Sequence, residues 1–268
     1  MITQLINQQT QEQQTVKAQI LNNLNDRQRG AVESTTGETL VIAGAGSGKT
    51  AVLTRRCAYL ITSGVNPGNI LSLTFTNKAA AEMNTRMRNL LSEIGIYLPE
   101  IKPWQFDYKL TPLFCTFHSL GLRLLREFGE QTIELKKEFN ILDNDDQTKI
   151  IRTILKDMNL DPKEYTPRAM LSFITQCKQE LLTPEISREL PRDYLPVFHN
   201  VYARFWAKCR ENQVVDFDDL ILLPYLMLKN FPEVLETVRH RWSHIQVDEF
   251  QDTNTAQFEL IYLMYPPE

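Results

Sequence analysis

The chain has 268 residues, 43% hydrophobic and 23% charged, with a formal net charge of −4. That balance suits one large or two modest soluble globular domains and excludes nucleic-acid binding by bulk positive charge, so any such contact must be local. The longest apolar run, Leu220 to Leu228, is broken by Pro224 and falls well short of the ~20 residues of a bilayer span; with no basic-then-apolar start, the chain reads as cytoplasmic and without a membrane partner.

Residues 1–19 are rich in Gln, Asn and Thr and weak in apolar periodicity, which predicts a mobile or loosely helical tail. The folded part is expected from Ile20. In the helical stretch Leu24 to Val32, Gln28 carries an amide that donates and accepts at once, as adenine's amino group and ring nitrogen require. It is a candidate for selecting ATP, or a solvated helix glutamine.

Thr39 to Ala43 is short, apolar and β-branched, and reads as a strand. Gly44-Ala45-Gly46-Ser47-Gly48-Lys49-Thr50 follows, and Val52, Leu53, Arg56, Tyr59 and Leu60 then keep helical spacing. A glycine-rich turn feeding a helix N-terminus can curl its N–H groups around an anion, with the helix dipole adding positive character. The expected guest is a triphosphate, with Lys49 on its outer phosphates and the Thr50 hydroxyl on Mg²⁺. Ala43 stands where the usual G-x-x-x-x-G-K-[ST] pattern has its first glycine.

Ile70 to Thr76 and Leu113 to Thr116 are two more strand candidates, alternating with helical segments as in a parallel α/β sheet. From Ser119 to Gln213 the pattern turns helical almost throughout. Leu120, Leu124, Leu125 and Phe128 form one stripe; Ile150, Ile151, Ile154 and Leu155 form a second after the acidic Asp143 to Asp146; Met170, Ile174 and Cys177 form a third after Thr166-Pro167; Val201, Tyr202, Phe205 and Cys209 form a fourth. The expected organisation is a nucleotide-binding α/β domain of 20–118 and 214–268, interrupted by a helical insertion over 119–213.

His240 and His244 share an i, i+4 spacing, but His244 opens a strand candidate ending at Val247, which removes a common metal-binding face. The four cysteines lie tens of residues apart and read as reduced and structural. Val247-Asp248-Glu249-Phe250-Gln251-Asp252 closes that last strand with adjacent carboxylates whose side chains diverge. Asp248 is the candidate metal ligand. Glu249 is the candidate base that orients and deprotonates the attacking water, and Asp252 or Thr253 the expected cap of the following helix.

Gln28, the AGAGSGKT loop, Leu73 to Met83, Thr116 to Ser119, Val215 to Leu220 and Val247 to Asn254 together resemble the ordered motifs of UvrD/Rep/PcrA-type superfamily 1 DNA helicases. The resemblance implies a P-loop NTPase parallel sheet of RecA-like type with an inserted all-helical subdomain, using ATP and Mg²⁺. It implies that Thr74, Phe75, Thr76, Asn77, Lys78, Thr116, His118 and Phe217 face single-stranded DNA, Phe75 as a base-stacking contact. Aromatic faces accept any base, and hydroxyl, amide and lysine groups hold phosphates without reading sequence. A core role for Phe75 and a capping role for His118 stand beside these readings.

Ala51 occupies the position after the GKT threonine where such helicases commonly carry an arginine. They also continue through a second motor domain that supplies arginine fingers, worth ~10³ to 10⁵ in phosphoryl-transfer rate. Hydrolysis by this chain alone is therefore expected to be very slow, with the C-terminal motor domain or a separate chain as its partner. Competing readings are a non-catalytic ATP- or DNA-binding module and the N-terminal part of a helicase-nuclease subunit. A GTPase is disfavoured, since Thr76-Asn77-Lys78-Ala79 has no Asp two residues after the lysine.

Overall fold

The structure, a computed structural model, describes residues 14–44, 46–99, 110–187 and 196–265. Its contacts divide the chain into one unit of Met1–Thr116 with His240–Phe250 and another of Phe117–Arg239 with Gln251–Glu268. The crossings expected from the sequence lie at 118/119 and 213/214 instead; residues 214–239 and 251–268 keep company with the helices.

In the first unit, helix α1 is described over 14–21, so the expected tail is helical before Ile20, while residues 1–13 lie outside the described part. Ile20 is fully buried, and the Arg55 guanidinium donates to its carbonyl. Helix α2 (Asp26–Glu33) opens on Asn25, whose side chain accepts from the Gln28 N–H while Gln28 returns a bond to the Asn25 N–H. This reciprocal cap satisfies two otherwise orphaned donors. Helix α3 (Lys49–Thr62) buries Cys57, Ala58 and Leu60 against Met87 and Leu91 of α4 (Asn77–Glu93) and against Ile70.

Strands β1 (Ile70–Thr74), β2 (Leu113–Thr116) and β5 (His244–Val247) form a parallel sheet in the order β2-β1-β5. All five residues of β1 are buried, as a central parallel strand covered on both faces requires. Leu71 lies opposite Leu113 on one side and Ile245 on the other. The buried Ser72 hydroxyl accepts from the Gln246 amide at 3.2 Å, which removes one polar liability from the sheet interior.

Two sequence expectations are corrected here. Thr39 to Ala43 is not a strand: it pairs with nothing in the sheet, and Leu40 and Ile42 are 71% and 89% exposed. Apolar, β-branched composition favours extended backbone, but a strand exists only where a neighbour completes its ladder, and this segment pairs with neither edge strand, β2 or β5. Strand β1 also stops at Thr74, because Thr76 caps α4 by accepting from the Ala79 N–H at 3.1 Å.

The second unit begins with α5 (Phe117–Ile133). After the two-residue strand β3 (Asn140–Ile141) come α6 (Asn144–Asp157), α7 (Pro167–Gln179), α8 (Pro184–Ser187) and α9 (Pro196–Glu211). Asp143 and Thr166 cap α6 and α7, with Pro167 at the first helical position of α7. Ile151, Ile154 and Leu155 of α6, Met170, Phe173, Ile174 and Cys177 of α7 and Val201, Tyr202, Phe205 and Cys209 of α9 form one buried cluster. The second, third and fourth expected stripes thus meet in a single core, whereas Leu125 of the first packs in a separate cluster with Leu135, Phe139, Val215, Leu220 and Leu223. Strand β4 (Val214–Val215) pairs in parallel with β3, and α10 (Asp219–Asn230), α11 (Pro232–Arg241) and α12 (Thr255–Met264) complete the chain.

Helices α5 and α10 cross closely at Gly121. A Cβ built there would stand 1.6 Å from the Leu220 carbonyl oxygen, a backbone atom that cannot swing aside. Gly121→Ala is therefore expected to destabilise the protein by at least about 1–3 kcal/mol through overpacking, read as a lower urea midpoint at unchanged slope.

Candidate functional site

The glycine-rich turn curls as its sequence implies. Gly46 and Gly48 adopt φ of 73° and 85°, a left-handed backbone that glycine takes without steric cost. The Ser47 hydroxyl donates to the Gly44 carbonyl at 2.7 Å and tightens the turn. Gly48 is the N-cap of α3 and offers no side-chain acceptor, so the first N–H groups of that helix are left for an anion. Ala45 lies outside the described residues.

Helix α3 then presents Lys49 and Thr50, and the end of β5 presents the carboxylates. The Asp248 N–H donates to the Leu73 carbonyl at 2.8 Å, which extends the ladder past β5 and holds Asp248 against the sheet. Glu249 follows with φ of 53°, a conformation that turns the chain sharply and separates its side chain from that of Asp248. The Thr50 hydroxyl donates to Asp248 Oδ2 at 3.4 Å, and Lys49 Nζ lies 3.6 Å from Glu249 Oε2. Residues some 200 positions apart in the chain thus converge within one unit.

Burial, and then the neighbouring Glu249 charge, hold the Asp248 carboxyl above the ordinary carboxylate range, against the Glu249 N–H, the Thr50 hydroxyl and Lys49. A divalent cation would reverse that penalty. One hydroxyl and one carboxylate oxygen are the hard donors Mg²⁺ takes when waters and phosphate oxygens complete its shell. Among the described residues no group of three or more His, Cys, Asp or Glu could hold a metal by itself.

Gln28 lies beside the phosphate loop. Its carbonyl oxygen accepts from the Asn25 N–H at 3.1 Å and its amide donates to the Ser47 carbonyl at 2.9 Å. Both ends of the amide are engaged, and it steadies the phosphate loop. A Cβ at Gly48 would come within 3.2 Å of that amide, a second reason for glycine there.

The residues expected to face DNA divide between the two units. In the first, Thr74 and Thr116 are register partners of adjacent strands and are buried, Phe75 is half-buried, and Thr76, Asn77 and Lys78 are exposed at the start of α4. In the second, Phe217 is 55% exposed and stacks on His118 with centroids 3.8 Å apart and planes 20° from parallel. Burial lowers the His118 pKa, with Asp218 opposing, so the ring under Phe217 is held toward its neutral form. A cleft of about 170 Å³ beside them is lined by His118, Gln179, Phe217, Asp218, Asn254 and Gln257.

Sequence reading missed the device behind Phe217. Lys178 is only 1% exposed, with Nζ 2.6 Å from Asp216 Oδ2 and 2.8 Å from Asp219 Oδ1. Burial and the Asp219 charge push the Asp216 carboxyl up to about 6 despite the ammonium. The only signal was a lysine one position from Cys177 on a helix whose apolar face is core, and periodicity does not mark cations.

A parallel sheet whose strand ends meet a glycine-rich phosphate loop, a lysine, a hydroxyl and paired carboxylates defines a P-loop nucleotide-binding protein of the α/β class. The sequence matches the model of the UvrD/REP helicase N-terminal domain over residues 24–268, and the chain belongs to that family. It is 43% identical over 248 residues to the ATP-dependent DNA helicase PcrA of Bacillus subtilis (strain 168) and 38% identical over 247 residues to PcrA of Staphylococcus aureus (strain Mu50). These alignments cover 92% and 91% of the chain but 32% of each relative, so the chain spans about a third of their length.

Proposed function

We propose that the chain is the N-terminal motor portion of an ATP-dependent DNA helicase or translocase of 3′ to 5′ polarity, which binds Mg-ATP at the glycine-rich loop and single-stranded DNA through the segments after β1 and around Phe217. The observation that carries the reading is the convergence of Lys49, Thr50, Asp248 and Glu249. The nucleotide-binding domain in this reading comprises 20–118 and 214–268, with 119–213 inserted. The partner is a C-terminal motor domain or chain.

Each residue has a task its position supports. The N–H groups of the Gly44 to Gly48 turn and the start of α3 cradle the phosphates, and Lys49 neutralises the outermost charge. Thr50 and Asp248 hold Mg²⁺, which when bound shields the phosphate oxygens. Glu249, on the diverging backbone, orients the attacking water and takes its proton. Phe75 offers a face for a base, while Thr76, Asn77 and Lys78 offer donors to the DNA backbone.

Fluorescence anisotropy with labelled oligonucleotides tests the DNA half. Weak, sequence-indifferent binding is expected, with a shallow salt dependence because a chain of net charge −4 makes few phosphate contacts. Phe75→Ala should cost ~1–3 kcal/mol if a base stacks there. A folded protein that ignores single-stranded DNA even at low salt would favour the non-catalytic nucleotide-binding reading.

A further inference from the structure

We propose that Lys178, on the helical insertion, is a positioning residue that aims Phe217 at single-stranded DNA by clamping the turn on which Phe217 sits; this rests on the reading of Phe217 as a base contact. The turn Asp216-Phe217-Asp218-Asp219 first closes on itself. The Asp219 N–H donates to Asp216 Oδ1 at 2.9 Å and the Asp216 N–H to Asp219 Oδ2 at 3.1 Å. Each carboxylate spends one oxygen on the turn and keeps the other for Lys178, at 2.6 and 2.8 Å.

Helix α7 grips the remaining acid as well. Asp218 accepts from the Thr175 hydroxyl at 2.8 Å and from the Gln179 amide at 3.3 Å. Thr175, Lys178 and Gln179 lie on one helical face, so a single helix holds three of the four residues of the turn. Phe217 is the fourth. With its neighbours drawn inward, its ring projects to solvent and rests on His118.

The ammonium is itself fixed, because Phe205 and Trp206 stand 5.4 and 5.9 Å from Nζ and close the site from the α9 side. A fully buried lysine that meets two buried carboxylates has little freedom to relax, so the direction of Phe217 follows from where α7 is packed. In this reading helix α7 supports the DNA contact.

The test is a double-mutant cycle on the 268-residue chain, with affinity for a fluorescein-labelled oligothymidylate as one readout and the ring-proton shifts of histidine-labelled His118 as the other. Phe217→Ala is expected to weaken binding about tenfold, the lower end of a lost base stack, and to remove the ring-current shift at His118. Lys178→Met should do both to a similar degree, and the double variant should bind no worse than Phe217→Ala alone. Losses that multiply, or a Lys178→Met protein with parental affinity and an unmoved His118 signal, would overturn the clamp. Parental binding by Phe217→Ala would instead remove the base contact, and the His118 shift would still report whether Lys178 holds the ring. If Lys178→Met shows no cooperative melt, the milder pair Thr175→Val with Gln179→Leu takes its place; it should shift the His118 signal and weaken binding in a folded protein, and an unchanged signal there sinks the proposal.

Discussion

Glu249→Gln is expected to bind Mg-ATP with parental affinity while DNA-stimulated turnover falls by about 10² to 10⁴, the usual contribution of a positioned base. The substitution keeps shape and hydrogen-bonding reach, and it leaves the Thr50–Asp248 pair that would hold the metal untouched. Binding and chemistry should therefore separate, which identifies an interaction made in the transition state. Loss of the 3.6 Å contact to Lys49 is minor, since Glu249 is partly exposed and such pairs are worth ~0–1 kcal/mol. The measurement belongs in the longest natural polypeptide that carries this chain, because the expected turnover of the chain alone is too slow to divide. Asp248→Asn should behave differently, weakening the Mg²⁺ dependence of binding itself. Parental turnover by Glu249→Gln would return the acidic segment to a metal site and helix approach only.

Lys49→Ala is expected to weaken Mg-ATP by at least tenfold and by as much as ~150-fold, since it removes a charge-assisted contact of about 1.5–3 kcal/mol. Lys49 Nζ donates to the Ala43 carbonyl at 3.3 Å and faces Glu249. Both contacts are long, so an incoming phosphate displaces little. The fold should survive, because the side chain is part-exposed and α3 is held further along by the buried Cys57, Ala58 and Leu60. Calorimetry with Mg-ATP reads the change directly, and unchanged affinity would remove Lys49 from the site.

What the sequence disclosed and what it concealed differ in kind. The extents of β2 and β5, the helix starts near Asp143 and Thr166 and the core stripes of α6, α7 and α9 were legible because each is written in a local pattern. Thr39 to Ala43 misled because pairing is a long-range decision; its composition is that of a strand, yet no strand among the described residues pairs with it. The cap of α12 is Asn254 rather than Asp252 or Thr253, with Gln257 completing a reciprocal box, since a short 3₁₀ turn over Phe250–Asp252 delays the helix. Gln28 has the chemistry for adenine, and its bond to the Ser47 carbonyl, nineteen residues away, was not legible beside it. Lys178 was invisible because its partners, Asp216 and Asp219, are some forty residues away and nothing local distinguishes it from a solvated lysine.

The left-handed backbone at Glu249 has a consequence for anyone who engineers this chain. A residue with a Cβ at φ of 53° carries roughly 1–2 kcal/mol of steric cost that glycine would not. Glu249→Gly would relieve the backbone and erase the carboxylate at one stroke. On the role proposed for Glu249, a screen that rewards heat resistance alone would drift toward a hardier and catalytically silent molecule, whereas one that couples survival to nucleotide turnover would keep the acid and look for its gains elsewhere.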